Sequence, residues 1–170
     1  MAQYFCEDIM FKIEVFKKSN IQDAEGKKYL TAAHDLKIHI DTIQTQKLYI
    51  IEGNLSIKSA ELIAKKILVD PIIEDYNIES TPIPDSETYA PDQKGNWKVY
   101  KTFHYGVTDN IGERTLKAIH DLKVTNVTSV STGSIFYIYK NIPFKQIQLM
   151  SNRIFANPII ESYAIQKIKG

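Results

Sequence analysis

The chain of 170 residues lacks the marks of several protein classes. Its one cysteine, Cys6, cannot form a disulfide within the chain, which favours a reducing cytoplasm. Its apolar runs are far shorter than the roughly 20 residues that a membrane-spanning helix needs. Glu7 and Asp8 stand where a secretory signal would be basic. Lys and Arg number 21 against 20 Asp and Glu, without a dense basic run, which argues against nucleic-acid binding. We expect a cytoplasmic globular protein that binds neither nucleic acid nor membrane.

The sequence also lacks the usual arrangements of catalytic and metal-binding residues. It contains no cluster of Cys, His and carboxylates at metal-ligand spacing and no Walker-type phosphate loop. His34 and His120 recur near the end of the same predicted helix, where a cation suits the helix dipole, so a structural role is favoured. His39 and His104 show no ligand spacing, and Cys6 has no identifiable activating base. We therefore predict no catalytic residue, no metal site and no cofactor on this chain.

What the sequence does contain is an internal duplication. An offset of 86 aligns residues 11–37 with 97–123 at 9 identities in 27 positions. An offset of 87 then aligns residues 43–78 with 130–165 at 12 identities in 36 positions. The matched positions include glycine and proline, whose backbone requirements are hard to reproduce through composition alone. The chain therefore consists of two tandem copies of one small unit.

The segment between the two copies reads as a linker. Residues 80–96 contain three prolines and a glycine, without apolar periodicity. We therefore predict a first repeat over residues 1–79, a linker over residues 80–96 and a second repeat over residues 97–170.

Each copy begins with the same predicted elements. Apolar and polar residues alternate over residues 11–16 and 97–103, which indicates a half-buried strand. An amphipathic helix follows in each copy. Asp23 and Asp109 stand at its start, where a carboxylate can accept hydrogen bonds from free backbone N–H groups.

The remaining elements complete a predicted βαββαβ order. Two antiparallel strands follow the first helix, with Ser-Thr-Gly-Ser at 131–134 as a hairpin turn in the second copy. A second helix then ends before Asp-Pro or Asn-Pro, since the residue before proline avoids the helical region. The final strand covers residues 72–79 and 159–167. This order predicts an α+β fold of two ferredoxin-like βαββαβ repeats with antiparallel sheets, packed with pseudo-twofold symmetry.

Two short segments are candidates for function. Glu74 and Glu161 recur directly after Pro-Ile-Ile, and alternation places Glu74, Tyr76 and Ile78 on one face of the final strand. Structural hydrogen bonding, or contact across the pseudo-twofold, is favoured over catalysis for these carboxylates. The segment at 106–110 leads into a helix N-terminus and so imitates a phosphate site, but a turn followed by an N-cap is the preferred interpretation.

These motifs give the chain a family likeness. Asn-Pro-Ile-Ile-Glu-Ser-Tyr at 157–163 resembles the signature of the PurS family, the small subunit of phosphoribosylformylglycinamidine (FGAM) synthase, and residues 70–76 are a near match. Residues 106–112 are similar to the segment that opens the first helix in the PurS-like N-terminal region of large, single-chain synthases, which carry two PurS-like halves. The resemblance covers about residues 10–79 and 97–168. The family-motif or interface candidates are Gly26, Pro71, Glu74, Tyr76, Gly106, Asp109, Gly112, Asn157, Pro158, Glu161 and Tyr163.

The resemblance implies a non-catalytic subunit of an ATP- and glutamine-dependent ligase in de novo purine biosynthesis. ATP and Mg are expected on a large synthetase subunit (PurL-like), and ammonia is released on a glutaminase subunit (PurQ-like). The PurS pair is expected to bridge them and to support ammonia transfer. The Arg-x-Gly-Lys turn common in PurS is replaced at 44–47 and 131–134, so contacts made through that turn are not carried over. Further self-association stays open.

Other functions compete with this interpretation. A small-molecule-sensing regulatory module of ACT type shares the βαββαβ order and also works in pairs. An RNA-binding sheet of RRM type would use Phe136, Tyr137 and Tyr139, but the near-neutral charge and the missing Arg/Lys-Gly-aromatic pattern disfavour it. A stand-alone enzyme would need a nucleophile or base that the sequence does not reveal.

The two copies are unequal. The second copy has Gly106, Gly133 and Asn157 where the first has Asn20, Gln46 and Asp70. If a symmetric pair is ancestral, fusion has allowed its halves to diverge. We therefore expect asymmetric contacts with partner subunits to fall more on the second copy.

Overall fold

A computed structural model describes residues 9–169, which form six strands and four α-helices. The strands are β1 (Ile9–Lys17), β2 (Gln44–Gly53), β3 (Glu74–Glu79), β4 (Lys94–Phe103), β5 (Val127–Pro143) and β6 (Glu161–Lys167). The helices are α1 (Ala24–Asp35), α2 (Ile57–Ile63), α3 (Asn110–Asp121) and α4 (Phe144–Met150). A π-helical turn extends α2 over Ala64–Leu68 and α4 over Ser151–Phe155. The prediction for Cys6 lies outside the described residues.

The six strands form one sheet in the order β3-β1-β2-β5-β4-β6. Strand β1 pairs antiparallel with β3, and β4 pairs antiparallel with β5 and β6. The copies use the same register at their outer pairs, since Val15 faces Tyr76 and the equivalent Lys101 faces Tyr163. The predicted α+β class, the antiparallel pairing and the duplicated architecture are confirmed.

The predicted hairpin at 131–134 is wrong. Strand β5 runs without interruption through these residues, with Gly133 opposite Thr102 and Ser134 opposite Lys101. A Cβ on Gly133 would lie 2.1 Å from the backbone oxygen of Lys101, so this glycine permits close strand approach rather than a turn. In the first copy β2 is also one strand, and residues 38–43 precede it as a connection that buries three isoleucines, Ile38, Ile40 and Ile43. Each copy therefore has the order βαβαβ.

The final strands begin two residues later than predicted. Residues 71–73 and 158–160 form turns, so β3 starts at Glu74 and β6 at Glu161. The predicted alternation along β3 is confirmed, because Tyr76 and Ile78 pack against a core while Asp75 and Asn77 are exposed. The second helices end before Asp-Pro and Asn-Pro, as the proline rule predicts.

Packing divides the described chain into two compact units that do not follow the boundary between the copies. The first unit comprises the chain up to Lys18, with Leu48–Pro82 and Thr108–Thr132. The second comprises Ser19–Lys47, Ile83–Val107 and the chain from Gly133. Each unit therefore holds the first helix of one copy and the second helix and outer strands of the other. The exchange is possible because β2 and β5 each contribute residues to both units.

The core of the first unit joins helices from both copies. Ile63 of α2 and Ile119 of α3 pack with Ile13 of β1 and Ile51 of β2, and all four are fully buried. Burial of one such side chain contributes about 1.5–3 kcal/mol.

The core of the second unit is richer in aromatic side chains. Ala33 of α1 and Ile147 of α4 share it with Trp97 and Phe136. Trp97 is fully buried, and its indole N–H donates to the backbone oxygen of Ile142 at 2.9 Å. The buried polar atom of this tryptophan is therefore satisfied.

The segment predicted as a linker is fixed along β6. The N–H of Ile165 donates to the Ser86 hydroxyl at 3.1 Å, and the N–H of Lys167 donates to the Tyr89 hydroxyl at 3.0 Å. The Tyr89 ring also packs edge-on against Trp97, with ring centroids 5.1 Å apart. Since β6 lies at a sheet edge, this segment covers backbone groups that would otherwise be open to another strand.

Candidate functional site

The recurring Asp-x-x-Gly motif fixes the start of the first helix in each copy. The Asp109 carboxylate accepts a hydrogen bond from the Gly112 N–H at 2.8 Å and another from the Thr132 N–H at 2.5 Å. Equivalent bonds of 2.8 and 2.6 Å join Asp23 to Gly26 and Thr45. Both predicted N-caps are confirmed, and each one also ties the helix to the middle strand of its copy. Because the carboxylate takes the N–H group that an anion would use, the structure favours the N-cap over a phosphate site.

The glycines of these motifs serve the backbone. A Cβ on Gly26 would lie 2.1 Å from the Ile43 oxygen, and one on Gly112 would lie 2.4 Å from the Val130 oxygen. Only glycine lets the helix start approach the neighbouring chain so closely. Gly106 has a φ of +84° with open space around it, so its requirement is conformational.

The Pro-Ile-Ile-Glu motif is a closed turn in both copies. In the second copy Glu161 accepts a hydrogen bond from the Asn157 N–H at 2.7 Å, and Asn157 Oδ1 accepts one from the Ile159 N–H at 3.1 Å. The equivalent bonds of the first copy, at 3.1 and 3.0 Å, involve Glu74, Asp70 and Ile72. Either Asp or Asn can therefore start this turn, and the glutamate closes it.

A lysine neutralises each of the recurring carboxylates. Lys17 Nζ lies 2.9 Å from Glu74 Oε1, and Lys101 Nζ lies 3.4 Å from Glu161 Oε1. The Glu74 side chain is only 4% exposed, while its partner Lys17 is partly open to solvent. A carboxylate that binds a backbone N–H with one oxygen and an ammonium with the other suits a structural role.

The proline carbonyls of the two turns also have equivalent contacts. His104 Nε2 lies 3.0 Å from the Pro158 oxygen, and Lys18 Nζ lies 2.5 Å from the Pro71 oxygen. Because a carbonyl only accepts, His104 donates through Nε2. The same position thus holds the turn in both copies through different side chains.

The two tyrosines of the motif differ in their contacts. The Tyr163 hydroxyl donates to Asn152 Oδ1 at 2.8 Å, which ties β6 to the π-helical turn after α4. Tyr76 is half-buried at the margin of the core of the first unit. The two tyrosines therefore anchor the final strands in different ways, one through its hydroxyl and one through packing.

The repeated histidines make structural contacts. His34 Nε2 lies 2.9 Å from the Ile40 oxygen, and His120 Nε2 lies 2.8 Å from the Val127 oxygen. Each ring thus connects the end of the first helix to the chain that follows it. Within residues 9–169, no group of three His, Cys, Asp or Glu side chains is placed to hold a metal ion.

An open cleft of about 470 Å³ lies beside the turn of the second copy, within the second unit. Most of its polar lining comes from side chains that the sequence did not single out. These are Tyr29 of α1, Lys101 of β4, and Asn152 and Arg153 of the π-helical turn, with Asn157 and Glu161 from the predicted motif. The site brings together distant parts of the sequence.

Packing and charge both act on the Tyr29 side chain. Its ring meets Phe136 and Phe155 edge-on, with centroids 4.9 and 5.7 Å away. Burial raises the pKa of the Tyr29 hydroxyl, and the nearby Glu25 and Glu161 carboxylates raise it further. Tyr29 is therefore a neutral hydrogen-bonding group at physiological pH.

A smaller cleft of about 200 Å³ lies beside the turn of the first copy, within the first unit. Its lining includes Lys18, Lys65 and Tyr76, together with Pro71 and Glu74 of the motif. The two turns therefore have the same pattern of hydrogen bonds but are surrounded by different side chains.

Apolar side chains project from both turns. Ile72 is 80% exposed and Ile159 is 82% exposed. The second copy adds Ile160, which is partly exposed, and Tyr105, which is fully exposed after β4. The backbone bond from the His104 N–H to the Ile160 oxygen, 2.9 Å long, places this end of β4 beside the turn.

One signal in the sequence could have pointed to the missed residues. Tyr29 and Lys101 occupy repeat positions where the other copy has Thr115 and Val15. Such differences at otherwise matched positions mark where the two copies have different surroundings. The same comparison identifies Tyr105, because the first copy has Ser19 at the equivalent position.

Comparison with known proteins identifies the family of this chain. The family model described as "PurS: Phosphoribosylformylglycinamidine (FGAM) synthase" matches residues 10–82 and again residues 96–169. A curated relative from Archaeoglobus fulgidus, named "Phosphoribosylformylglycinamidine synthase subunit PurS", is 36% identical over 72 residues. That match covers 39% of this chain and 90% of the relative, so the relative is about as long as one copy. The chain belongs to the PurS family, in a form that carries two PurS copies in tandem.

Proposed function

We propose that this chain is a non-catalytic subunit of FGAM synthase in de novo purine biosynthesis. One observation carries the proposal: both copies match the PurS family model, and the curated relative is named as a subunit of that synthase. The ion pairs that Glu74 and Glu161 form with lysines support a role without catalysis. We further propose that the protein works in the cytoplasm, with ATP and Mg bound by a partner subunit.

The partners in this proposal are a PurL-like synthetase and a PurQ-like glutaminase, which the chain bridges so that ammonia passes between them. The exposed apolar side chains around the second turn support a contact surface there, because clusters of exposed apolar residues often mark interaction sites. We define the second-copy patch as Tyr105, Ile159 and Ile160. The second copy is therefore the preferred side for an asymmetric contact.

Reconstitution with and without the chain tests this proposal. The chain would be co-expressed with the synthetase and the glutaminase, and the three proteins should elute together in size-exclusion chromatography. FGAM formation would then be measured with glutamine as the nitrogen donor and, as a control, with free ammonium. Omission of the chain should lower the glutamine-dependent rate much more than the ammonium-dependent rate. Unchanged glutamine-dependent activity without the chain would contradict the proposal.

A further inference from the structure

We propose that the cleft of the second unit binds the phosphate group of a small phosphate monoester. We call it the donor cleft and define it by Tyr29, Lys101, Asn152, Arg153 and Asn157. Its volume of about 470 Å³ lies within the range of roughly 300–1,000 Å³ typical of small-molecule sites. The inference stands on the contents of this cleft and does not depend on assembly with other subunits.

The amide oxygens of the donor cleft each accept one hydrogen bond from within the chain. Asn152 Oδ1 accepts the Tyr163 hydroxyl at 2.8 Å, and Asn157 Oδ1 accepts the Ile159 N–H at 3.1 Å. Each side chain keeps an NH₂ group, which can only donate. Both asparagines line the cleft, and their NH₂ groups are available to donate to a ligand there.

The charged side chains add further donors. Lys101 and Arg153 bring two positive charges, while Glu161 brings one negative charge whose oxygens contact Lys101 and the Asn157 N–H. Among the described residues, Arg153 forms no ion pair, and its side chain is exposed. A guanidinium matches the geometry of phosphate and binds it in bidentate fashion. The cleft thus has a net positive charge and a surplus of donors.

Tyr29 completes this set from the other copy. A tyrosine hydroxyl is protonated at neutral pH, and burial raises the pKa of Tyr29 further, so it too can donate a hydrogen bond. Phosphate oxygens only accept, once the group is a dianion, and they need several donors when water is partly excluded. The donor cleft offers this complement, and its net positive charge favours an anionic phosphate over a neutral sugar or a cation.

The equivalent positions of the first unit lack the same complement. Asp70 stands for Asn157, Val15 for Lys101 and Thr115 for Tyr29. An acceptor and two shorter or apolar side chains thus replace three donors. Lys66, the equivalent of Arg153, supplies a matched control on the other unit.

Calorimetry and NMR titration of the full chain test the inference. The probes are inorganic phosphate, ribose 5-phosphate and AMP, with ribose and adenosine as uncharged controls. We expect saturable binding of all three phosphates, with amide shifts confined to the neighbourhood of residues 152–161. Tighter binding of ribose 5-phosphate or AMP than of phosphate would identify the group attached to the phosphate.

Two variants assign the binding to the donor cleft. R153Q should weaken binding by roughly tenfold or more, because a hydrogen bond to a charged group is lost, whereas K66Q should leave it unchanged. N157D should also weaken it, and it should still fold because the first copy builds the same turn with Asp70. Equal weakening by R153Q and K66Q would overturn the inference, because binding would then depend on general positive charge and not on the donor cleft. So would non-saturable shifts, or adenosine that binds as well as AMP.

Discussion

The Asp109 carboxylate accepts a hydrogen bond of 2.5 Å from the backbone N–H of Thr132, which lies 23 positions further along the chain. The same carboxylate caps α3 through Gly112, so one side chain joins a helix start to β5. D109A removes the cap and leaves the Thr132 N–H without its acceptor. We expect it to lower the free energy of unfolding by about 1–3 kcal/mol, measured by urea denaturation.

D121A serves as the matched control for this experiment. Asp121 is a fully exposed helix residue that pairs with Lys117 of the same helix. Its removal should leave the urea midpoint within error, since such surface pairs contribute little. Equal stability of D109A and D121A would show that the cap and the bond to Thr132 together contribute nothing.

The two kinds of glycine requirement should give different costs. G112A places a Cβ 2.4 Å from the Val130 oxygen, and we expect a loss of about 2–3 kcal/mol because backbone must move. In G106A the new Cβ meets no atom, so we expect only the strain of a positive φ, a loss of about 1 kcal/mol. Chemical denaturation of both variants checks this order. A larger loss for G106A would contradict the close approach at the start of α3.

Hydrogen exchange distinguishes a continuous β5 from the hairpin that the sequence predicted. In the structure, residues 131–134 lie inside the strand, and residues 133–134 pair with β4. Their paired amide hydrogens should therefore exchange as slowly as those of residues 135–138, since both are held in the same sheet. Mass-spectrometric exchange of peptides from this region measures the rates. Fast exchange confined to residues 131–134 would restore the hairpin.

Stability at alkaline pH should depend on Tyr29. Burial, followed by Glu25 and Glu161, raises the pKa of its hydroxyl in the folded state. As the pH rises, the unfolded chain therefore loses this proton first, near pH 10. The contribution of Tyr29 is present below about pH 10 and is lost as the pH rises through the folded pKa.

Y29F removes this dependence. The difference in urea midpoint between wild type and Y29F should be constant from pH 7 to pH 9 and should shift against the wild type above about pH 10. Y105F, in which the altered ring is fully exposed, should follow the wild type throughout. Parallel profiles for wild type and Y29F at high pH would contradict the prediction.

The second-copy patch should matter more for assembly than its counterpart. I159S removes an exposed isoleucine that neighbours Ile160 and Tyr105, while I72S removes an isoleucine of the same exposure whose copy has serine in place of that tyrosine. We expect I159S to weaken the complex with the other synthase subunits by roughly tenfold or more, as loss of a central apolar contact does. I72S should have little effect. Surface plasmon resonance on folded variants measures both, and a larger effect of I72S would reverse the assignment.

Local sequence rules predicted much of this fold. The repeat, the Asp N-caps, the ends of the second helices and the alternation along β3 all depend on neighbouring residues, and the structure contains them. The failures have a common physical cause. Gly133 looks like a turn residue until the backbone of Lys101 is placed 2.1 Å from where its Cβ would lie. The need for glycine at this position comes from the partner strand β4 and not from the residues next to Gly133 in sequence.

The donor cleft could not be predicted from the sequence, for a related reason. Tyr29 and Arg153 belong to different copies, and no motif spans the distance between them. The predicted motif residues that do line the cleft, Asn157, Pro158 and Glu161, mainly build the turn. The signature pattern therefore identified the turn and one donor, Asn157, but not the other four side chains that define the donor cleft.

The exchange of first helices has an evolutionary consequence. Tyr29 is encoded in the first copy, but its ring contacts Phe136 and Phe155 of the second. A substitution in one copy is therefore expected to be compensated in the other, and covariation should link Tyr29 to Phe136 and Phe155. Recombination at the linker between two diverged genes would separate such partners. Selection then acts on the duplicated gene as a single inherited block, although its two halves began as the same sequence.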